Sequence, residues 1–296
     1  MGEIAIIGHL TIDEIVHQAG SKTLMGGVAC YAAIAASRLG AKVKIFSRVG
    51  IDFPRSYLEI LRKAGVDVSG VMIDPRSRNT CFKLDYTSGE RVLKLTSRAE
   101  DLLVRTVSGD AVYLGPVAWE ITPATITDLI RSRDLTLLDP QGLMRIRRED
   151  GTIGLRKIDL DLRGLWTLRI SREEAEVLAS SRDPRIIVEN LAQMGAENIL
   201  LTLGKSGAIV SYGSNRIKVP CFETFEVDST GAGDVFGGAF LAEYLDTGDF
   251  RWAAAMGSAM ASILVEDFGF YPLLRKDVPE EARRRAKVIE ESISEL

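Results

Sequence analysis

Short aliphatic and β-branched runs alternate with stretches of helical period along almost the whole chain of 296 residues. "EIAIIG" (Glu3 to Gly8) reads as a buried strand, and "VACYAAIAASRLG" (Val28 to Gly40) as an Ala-rich helix closed by Gly40. The rhythm continues with "KVKIFSRVG" as a strand, "FPRSYLEILRKAG" as a helix, "AVYLG" as a strand, "PATITDLIRS" as a helix and "LTLLD" as a strand. It goes on with "LWTLRIS" (strand), "REEAEVLAS" (helix), "ENILLTLG" (strand) and a hairpin made of "GAIVSYG" and "RIKVP". Such alternation predicts βαβ units, and therefore an α/β fold whose mostly parallel sheet is covered by helices on both faces.

Three stretches depart from the rhythm. Residues 10–25 and 71–97 hold alternating strands, the second around an "SG" turn, with no helix between them. Strands of this kind belong at a sheet edge or project from it, where they can form a lid. "RIRREDGTIGLRKIDLDLRG" (Arg145 to Gly164) is charged and lacks helical period, which predicts a solvated loop. With 46% apolar residues, and neither a repeat nor a linker, the chain reads as a single domain over residues 1–296.

Charge narrows the choice of partner. The net charge of -4 comes from 41 acids and 37 bases spread along the chain, so there is no basic face for nucleic acid and no polybasic run for an anionic membrane. A small molecule or another protein chain is the expected partner. No apolar stretch reaches the roughly 18 residues of a spanning helix, and "MGEIAIIGHL" is unlike a signal peptide. Cys30, Cys81 and Cys221 are odd in number and far apart, and His9 and His17 are the only histidines, which argues against a disulfide framework or a zinc site. A reducing cytoplasm is the expected location.

The densest chemistry lies in "DSTGAGDVFGGAF" (Asp228 to Phe240), with two acids, two hydroxyls and four glycines. Asp, Ser or Thr could cap the helix that follows. A cap needs only one such residue, however, and glycine costs about 1 kcal/mol per position inside a helix. Gly231 and Gly233 would let the backbone approach a ligand, with the first N–H groups of the helix aimed at it; that is an anion site. Asp234 is then a poor phosphate ligand but a good proton acceptor. With an ordinary pKa of about 3.9 it is ionised at neutral pH and could take the proton of a hydroxyl attacking a phosphoryl group. Rival phosphate loops fail: a Walker A reading of "LGKSG" needs glycine where Ile199 stands, and a dinucleotide fingerprint from Gly231 needs glycine where Phe236 stands.

With this motif in place, the chain resembles the ribokinase-like, or PfkB, carbohydrate kinases over nearly its whole length. "DSTGAGDVFGGAF" is similar to the family's C-terminal signature, and "GHLTIDEI" with "GGVACYAAIAASRLGAKV" to its N-terminal one. "ISREEAEVL" and "LLTLGKSGAIV" resemble its metal-organising and nucleotide-binding segments, in matching order. The resemblance implies a three-layer αβα sandwich with a small β-strand lid, and an ATP-dependent kinase acting on a hydroxyl. It implies that Asp234 is the base and that the backbone of Gly231, Ala232 and Gly233 is the anion hole. Asp13 would bind substrate hydroxyls, with a turn cap as its other reading, and Gly26 and Gly27 would let the chain pass close to the substrate. Glu174 would organise Mg2+ through water, although Ser171 stands where the family usually has Asn. Thr202, Gly204 and Gly207 would border the nucleotide, and Asp228 with Thr230 falls where some relatives hold a monovalent cation.

The acceptor end is less defined. Tyr31 stands where many family sugar kinases have Asn, and could stack on a substrate or pack within its helix. Gln141 and Arg145 follow a strand end, the usual place for ligand groups in an open α/β sheet, and Asn79 and Lys83 lie on the expected lid. Arg145 could meet a phosphate or be a surface charge. "PQG" and "GHLTID" resemble the branch holding inositol kinases and some nucleoside kinases. The expected function is therefore phosphorylation of a sugar or polyol, myo-inositol among them, with a nucleoside kinase and a non-catalytic nucleotide or sugar sensor as alternatives. Family relatives often dimerise through the lid, which makes a homodimer a further expectation.

Overall fold

The computed structural model describes residues 2–18, 20–88, 92–104 and 107–296. β1 (Glu3–Ile7) leads through β2 (Thr11–His17) and β3 (Gly20–Gly26) to α1 (Val28–Arg38), β4 (Lys42–Gly50), α2 (Arg55–Lys63) and β5 (Val66–Asp74). Next come β6 (Thr80–Asp85), β7 (Val92–Ser97), β8 (Ala111–Leu114), α3 (Pro123–Ser132) and β9 (Thr136–Leu138). A single turn, α4 (Gln141–Met144), opens onto β10 (Arg145–Arg147) and β11 (Ile153–Leu155). The chain continues through β12 (Thr167–Ser171), α5 (Arg172–Ala179), α6 (Pro184–Gln193), β13 (Asn198–Thr202), β14 (Ala208–Tyr212) and β15 (Asn215–Val219). It finishes with α7 (Ala232–Thr247), α8 (Phe250–Leu264), α9 (Val278–Glu291) and β16 (Ser294–Glu295).

The main sheet has the order β16-β15-β14-β13-β12-β9-β8-β1-β4-β5. It is parallel from β5 across to β13, and β14 to β16 extend it antiparallel. β1 shows why helices must cover both faces. Ile4 and Ile6 join one apolar cluster with α1, α2, α7, α8 and α9, while Ala5 and Ile7 join the other with α3, α5 and α6. The strand order reverses between β1 and β8, so the crevice beyond their carboxyl ends is the place where such a sheet takes a ligand. Glu120, fully buried there, ties the two strand ends together by accepting the N–H groups of His9, Val117 and Ala118. No described helix is long and apolar enough to cross a membrane.

Two expectations about the irregular segments need correction. The lid is a four-stranded sheet ordered β3-β2-β6-β7, but residues 71–74 belong to β5 in the main sheet, so the second lid segment begins at Thr80. The end of the expected "SG" turn, residues 89–91, lies outside the described residues. The segment Arg145 to Gly164, expected as a solvated loop, instead starts as the antiparallel pair β10–β11. Its strands are too short and too charged to carry an apolar alternation. They are joined through Asp150, whose carboxylate accepts from the N–H and hydroxyl of Thr152. A bridge between Lys94 and Thr152 fastens this hairpin to the lid.

α7 lies against α1 without intervening side chains. A Cβ on Gly238 would overlap the carbonyl oxygen of Ala32, and one on Gly237 would come within 2.6 Å of the Tyr113 hydroxyl. Replacing glycine by alanine in a helix interior normally stabilises it by about 1 kcal/mol. At position 238 the sign should reverse: Gly238→Ala is expected to destabilise the protein by roughly 1–3 kcal/mol through overpacking, read by urea unfolding. A variant as stable as the parent would show that the two helices can separate at no cost.

Candidate active site

Beyond β1 the chain turns directly into the lid, and this places Asp13 over the crevice. Thr11 Oγ1 donates to Asp13 Oδ1 at 2.7 Å, and the carboxylate sits so close to Gly26 that a Cβ there would overlap it. Gly27, with φ of +85°, lies on the carbonyl of His9 in the same way. The glycine pair, expected to make room for substrate, makes room first for the protein's own groups. A cavity of about 820 Å³ opens beneath, within the range of small-molecule sites, which is about 300–1,000 Å³. Asp13, Gly27 and the loop Ser229 to Asp234 form its floor, and Phe82, Leu84 and Leu93 of the lid give it an apolar wall.

Asp234 stands in the first turn of α7 and lines this cavity. Gln141 Nε2 donates to its Oδ1 at 3.2 Å, and Arg145 Nη2 donates to Gln141 Oε1 at 2.7 Å. Arg145 also donates to the Val117 carbonyl and lies 5.0 Å from the Phe82 ring, so the two residues expected near a ligand are joined in a row that ends on the Asp234 carboxyl. Burial pushes the Asp234 carboxyl up to about 7, with the charge of Asp139 adding to the rise and Arg169 and Arg145 opposing it. A carboxylate poised there can both take a proton at neutral pH and release it afterwards.

The N-terminal end of α7 is shaped by what lies beneath it. Gly231 has φ of +80°, and a Cβ on it would meet the ring of Tyr31 at 2.5 Å. Tyr31 is packed under the loop, almost wholly buried, and also contributes to the cavity lining. A Cβ on Gly233 would overlap the guanidinium of Arg169. The N–H of Ala232, expected in the anion hole, donates to the Ser229 carbonyl at 3.1 Å. The N–H groups of Gly233 and Asp234 lie in the first turn, where no intrahelical carbonyl faces them.

Glu174 lines the cavity and also closes a capping box: its Oε2 accepts from Ser171 N at 3.0 Å and from Ser171 Oγ at 2.7 Å. The capping and metal readings therefore coexist. The residues fit a magnesium ion that arrives with a nucleotide, because Mg2+ keeps most of its waters and needs one or two carboxylates beside the phosphates. Asp228 spends Oδ1 on the N–H of Thr230 at 3.0 Å and Oδ2 on the N–H of Gly269 at 3.2 Å. It clips the loop to the segment after α8. Thr202, Gly204 and Gly207 lie on β13 and the turn after it, outside the cavity lining; Thr202 accepts from Arg169 Nη2 at 3.1 Å.

Neither lid residue expected near the acceptor, Asn79 or Lys83, lines the cavity. Asn79 is completely buried, accepting from Gly50 N and donating to the carbonyls of Leu10 and Thr80, so its amide is consumed in joining lid to sheet. Lys83 alternates with Phe82 and Leu84, and it is those two that line the cavity. Conversely, the sequence reading missed Arg169, Asp139 and Arg148. Arg169 was visible as a charge inside "LRIS", a strand that a parallel sheet buries on both faces.

Two buried carboxylates, Asp234 at the opening of a helix and Asp13, line one cavity beyond the carboxyl ends of a mostly parallel sheet. The chain matches the model of the pfkB family carbohydrate kinases over residues 2–276, and it belongs to that family. It is 27% identical to a nucleoside kinase of Methanothermobacter thermautotrophicus, covering 90% of each chain. It is 25% identical to an inositol 3-kinase of Arabidopsis thaliana, covering 96% of this chain and 80% of that one. A solved pyrophosphate-dependent kinase in the ribokinase family, complexed with a pyrophosphate analog and myo-inositol, superposes with a TM-score of 0.83. That pair is 27% identical over 94% of this chain and 99% of the other. The expected fold and enzyme class hold.

Two outcomes follow for the site. The raised carboxyl of Asp234 costs native-state stability once it must ionise. The cost is absent below the unfolded pKa of about 4, grows with pH, and is complete above the folded value of about 7, reaching at most roughly 4 kcal/mol. Asp234→Asn should therefore raise Tm relative to the parent at pH 8, with the gap closing toward pH 5; a gap that does not depend on pH would place the carboxyl in its ordinary range. Asn79→Ala should lose about 1–3 kcal/mol of stability and leave the acceptor KM unchanged, because its bonds are structural.

Proposed function

We propose that the protein transfers the γ-phosphoryl group of ATP to a hydroxyl of a sugar or polyol, with myo-inositol the leading acceptor. The observation that carries this reading is the buried, hydrogen-bonded carboxylate of Asp234 facing the cavity that Asp13 borders. Asp13 binds a pair of acceptor hydroxyls, as a carboxylate with two oxygens can. Asp234 takes the proton of the attacking hydroxyl as the new P–O bond forms and the bond to the leaving phosphate breaks. Gln141 holds Asp234 in place, and the first-turn N–H groups of α7 accept the charge that gathers on the phosphoryl oxygens. Glu174 would hold a magnesium ion through water, and the bound ion would supply positive charge beside the donor phosphates. The closed lid, whose Tyr86 hydroxyl lies 3.5 Å from Thr230 Oγ1, keeps water away.

The second reading is a nucleoside acceptor. The apolar wall of Phe82, Leu84 and Leu93 suits a base as well as the carbon face of a cyclitol, and a relative is named a nucleoside kinase. A panel of myo-inositol, ribose, fructose, cytidine and adenosine, each offered ATP or pyrophosphate, separates the readings by product formation. Fastest turnover of myo-inositol is expected. Faster turnover of a nucleoside selects the second reading, and binding without turnover of any acceptor selects a sensor.

Asp234→Asn should lose at least about a hundredfold in kcat. In the parent, kcat/KM should rise with unit slope as pH increases and level off above about 7, because only the ionised carboxylate accepts the proton. A flat profile with full activity of the variant would remove Asp234 from the mechanism.

A further inference from the structure

The guanidinium of Arg169 occupies the volume in which any residue but glycine would place its side chain at position 233. Arg169 projects from β12 beneath the first turn of α7, is 7% exposed and lines the cavity. Nη1 donates to Asp139 Oδ2 at 2.5 Å, and Nη2 donates to Thr202 Oγ1 at 3.1 Å. Asp139 is itself fully buried and anchored, its Oδ1 accepting the N–H of Gln141 at 3.1 Å. The pair is thus fixed at one edge, while Nη2, with two protons and one of them spent on Thr202, is the nitrogen pressed against Gly233.

We propose that Arg169 is a catalytic residue, donating from Nη2 to a non-bridging oxygen of the phosphoryl group in transfer, beside the N–H groups of the α7 first turn. The proposal rests on the kinase reading above. A planar, permanently charged guanidinium suits the task, because one edge can be bound to a carboxylate while the other meets phosphate oxygens. A charge held in place and shielded from water acts strongly on charge that develops nearby, and it need not reorganise when the reaction occurs. Asp139 holds and aims it without touching substrate, which makes Asp139 a positioning residue.

The alternative is that Arg169 serves only to neutralise Asp139. Removing the arginine alone would strand a buried acid and could unfold the chain, so the comparison is made in a background where the acid is gone. Asp139→Asn and the double variant Asp139→Asn/Arg169→Met are compared for Tm, kcat and acceptor KM. Binding of inorganic pyrophosphate by calorimetry supplies a readout that needs no turnover. The proposal expects the double variant to fold, to lose at least about a hundredfold in kcat against Asp139→Asn, and to keep its acceptor KM within about threefold. It expects pyrophosphate to bind at least about tenfold more weakly. A double variant that keeps the kcat of Asp139→Asn, or binds pyrophosphate as well as it does, overturns the role. Failure of every acceptor with the parent protein would defeat the kinase reading, and the pyrophosphate measurement would still decide Arg169.

Discussion

The pair between Arg169 and Asp139 is the interaction on which the arrangement of the site turns. Two opposite charges are buried together where β12 and β9 run under the helix terminus, and each offsets part of the other's desolvation. Their desolvation is partly offset by further hydrogen bonds, from Gln141 to Asp139 and from Arg169 to Thr202. These bonds cross from β9 to β12 to β13 and brace three strand ends under one helix terminus. The same charges act on Asp234 in opposite senses, Asp139 raising its carboxyl and Arg169 lowering it. The Asp234 carboxyl is therefore tuned by a pair that also braces the strand ends beneath it.

Above that floor, closure is shared between two structures that come from different parts of the chain. The lid sheet supplies Phe82, Leu84 and Leu93, and the hairpin β10–β11 supplies Arg148, Ile153 and Leu155 to the same cavity. The Lys94–Thr152 bridge connects them, and Arg145, at the root of the hairpin, reaches back to Gln141. A movement of the hairpin is therefore felt at the lid and at the residue that orients the base. On the other side, His17 stacks on Tyr86 at 5.0 Å and Lys22 lies 3.7 Å above the Phe268 ring, which fastens the lid to the segment clipped by Asp228.

Much of this was legible in the sequence, and the reasons it was legible explain what was not. The alternation of strand and helix reported the main sheet because burial on both faces imposes an unbroken apolar run on each central strand, as in "EIAII". That Asp234 and Asp13 line one cavity was anticipated because each stands near a strand or helix end, where an open α/β sheet gathers its ligand groups. The hairpin escaped notice because a short polar pair stabilised by a bridge to the lid has no periodicity of its own. The position of Asn79 at the seam was hidden for a related reason: lid and sheet meet only in three dimensions, so a residue facing that seam looks the same in sequence as one facing the cavity. Arg169 needed the register of β12 against its neighbours before its position beneath Gly233 could be known.

The glycines of "DSTGAGDVFGGAF" carry a consequence for how such chains diverge. Gly231 is required by Tyr31, Gly233 by Arg169, Gly237 by Tyr113 and Gly238 by Ala32, and each of those neighbours belongs to the protein. The signature is thus largely a record of how closely a helix is seated, with one acid in it, Asp234, to which we assign the chemistry. A descendant that abandoned phosphoryl transfer and kept only ligand binding would be under pressure to retain every glycine, and free to replace Asp234. In this lineage, loss of catalysis would leave the motif recognisable and change a single letter.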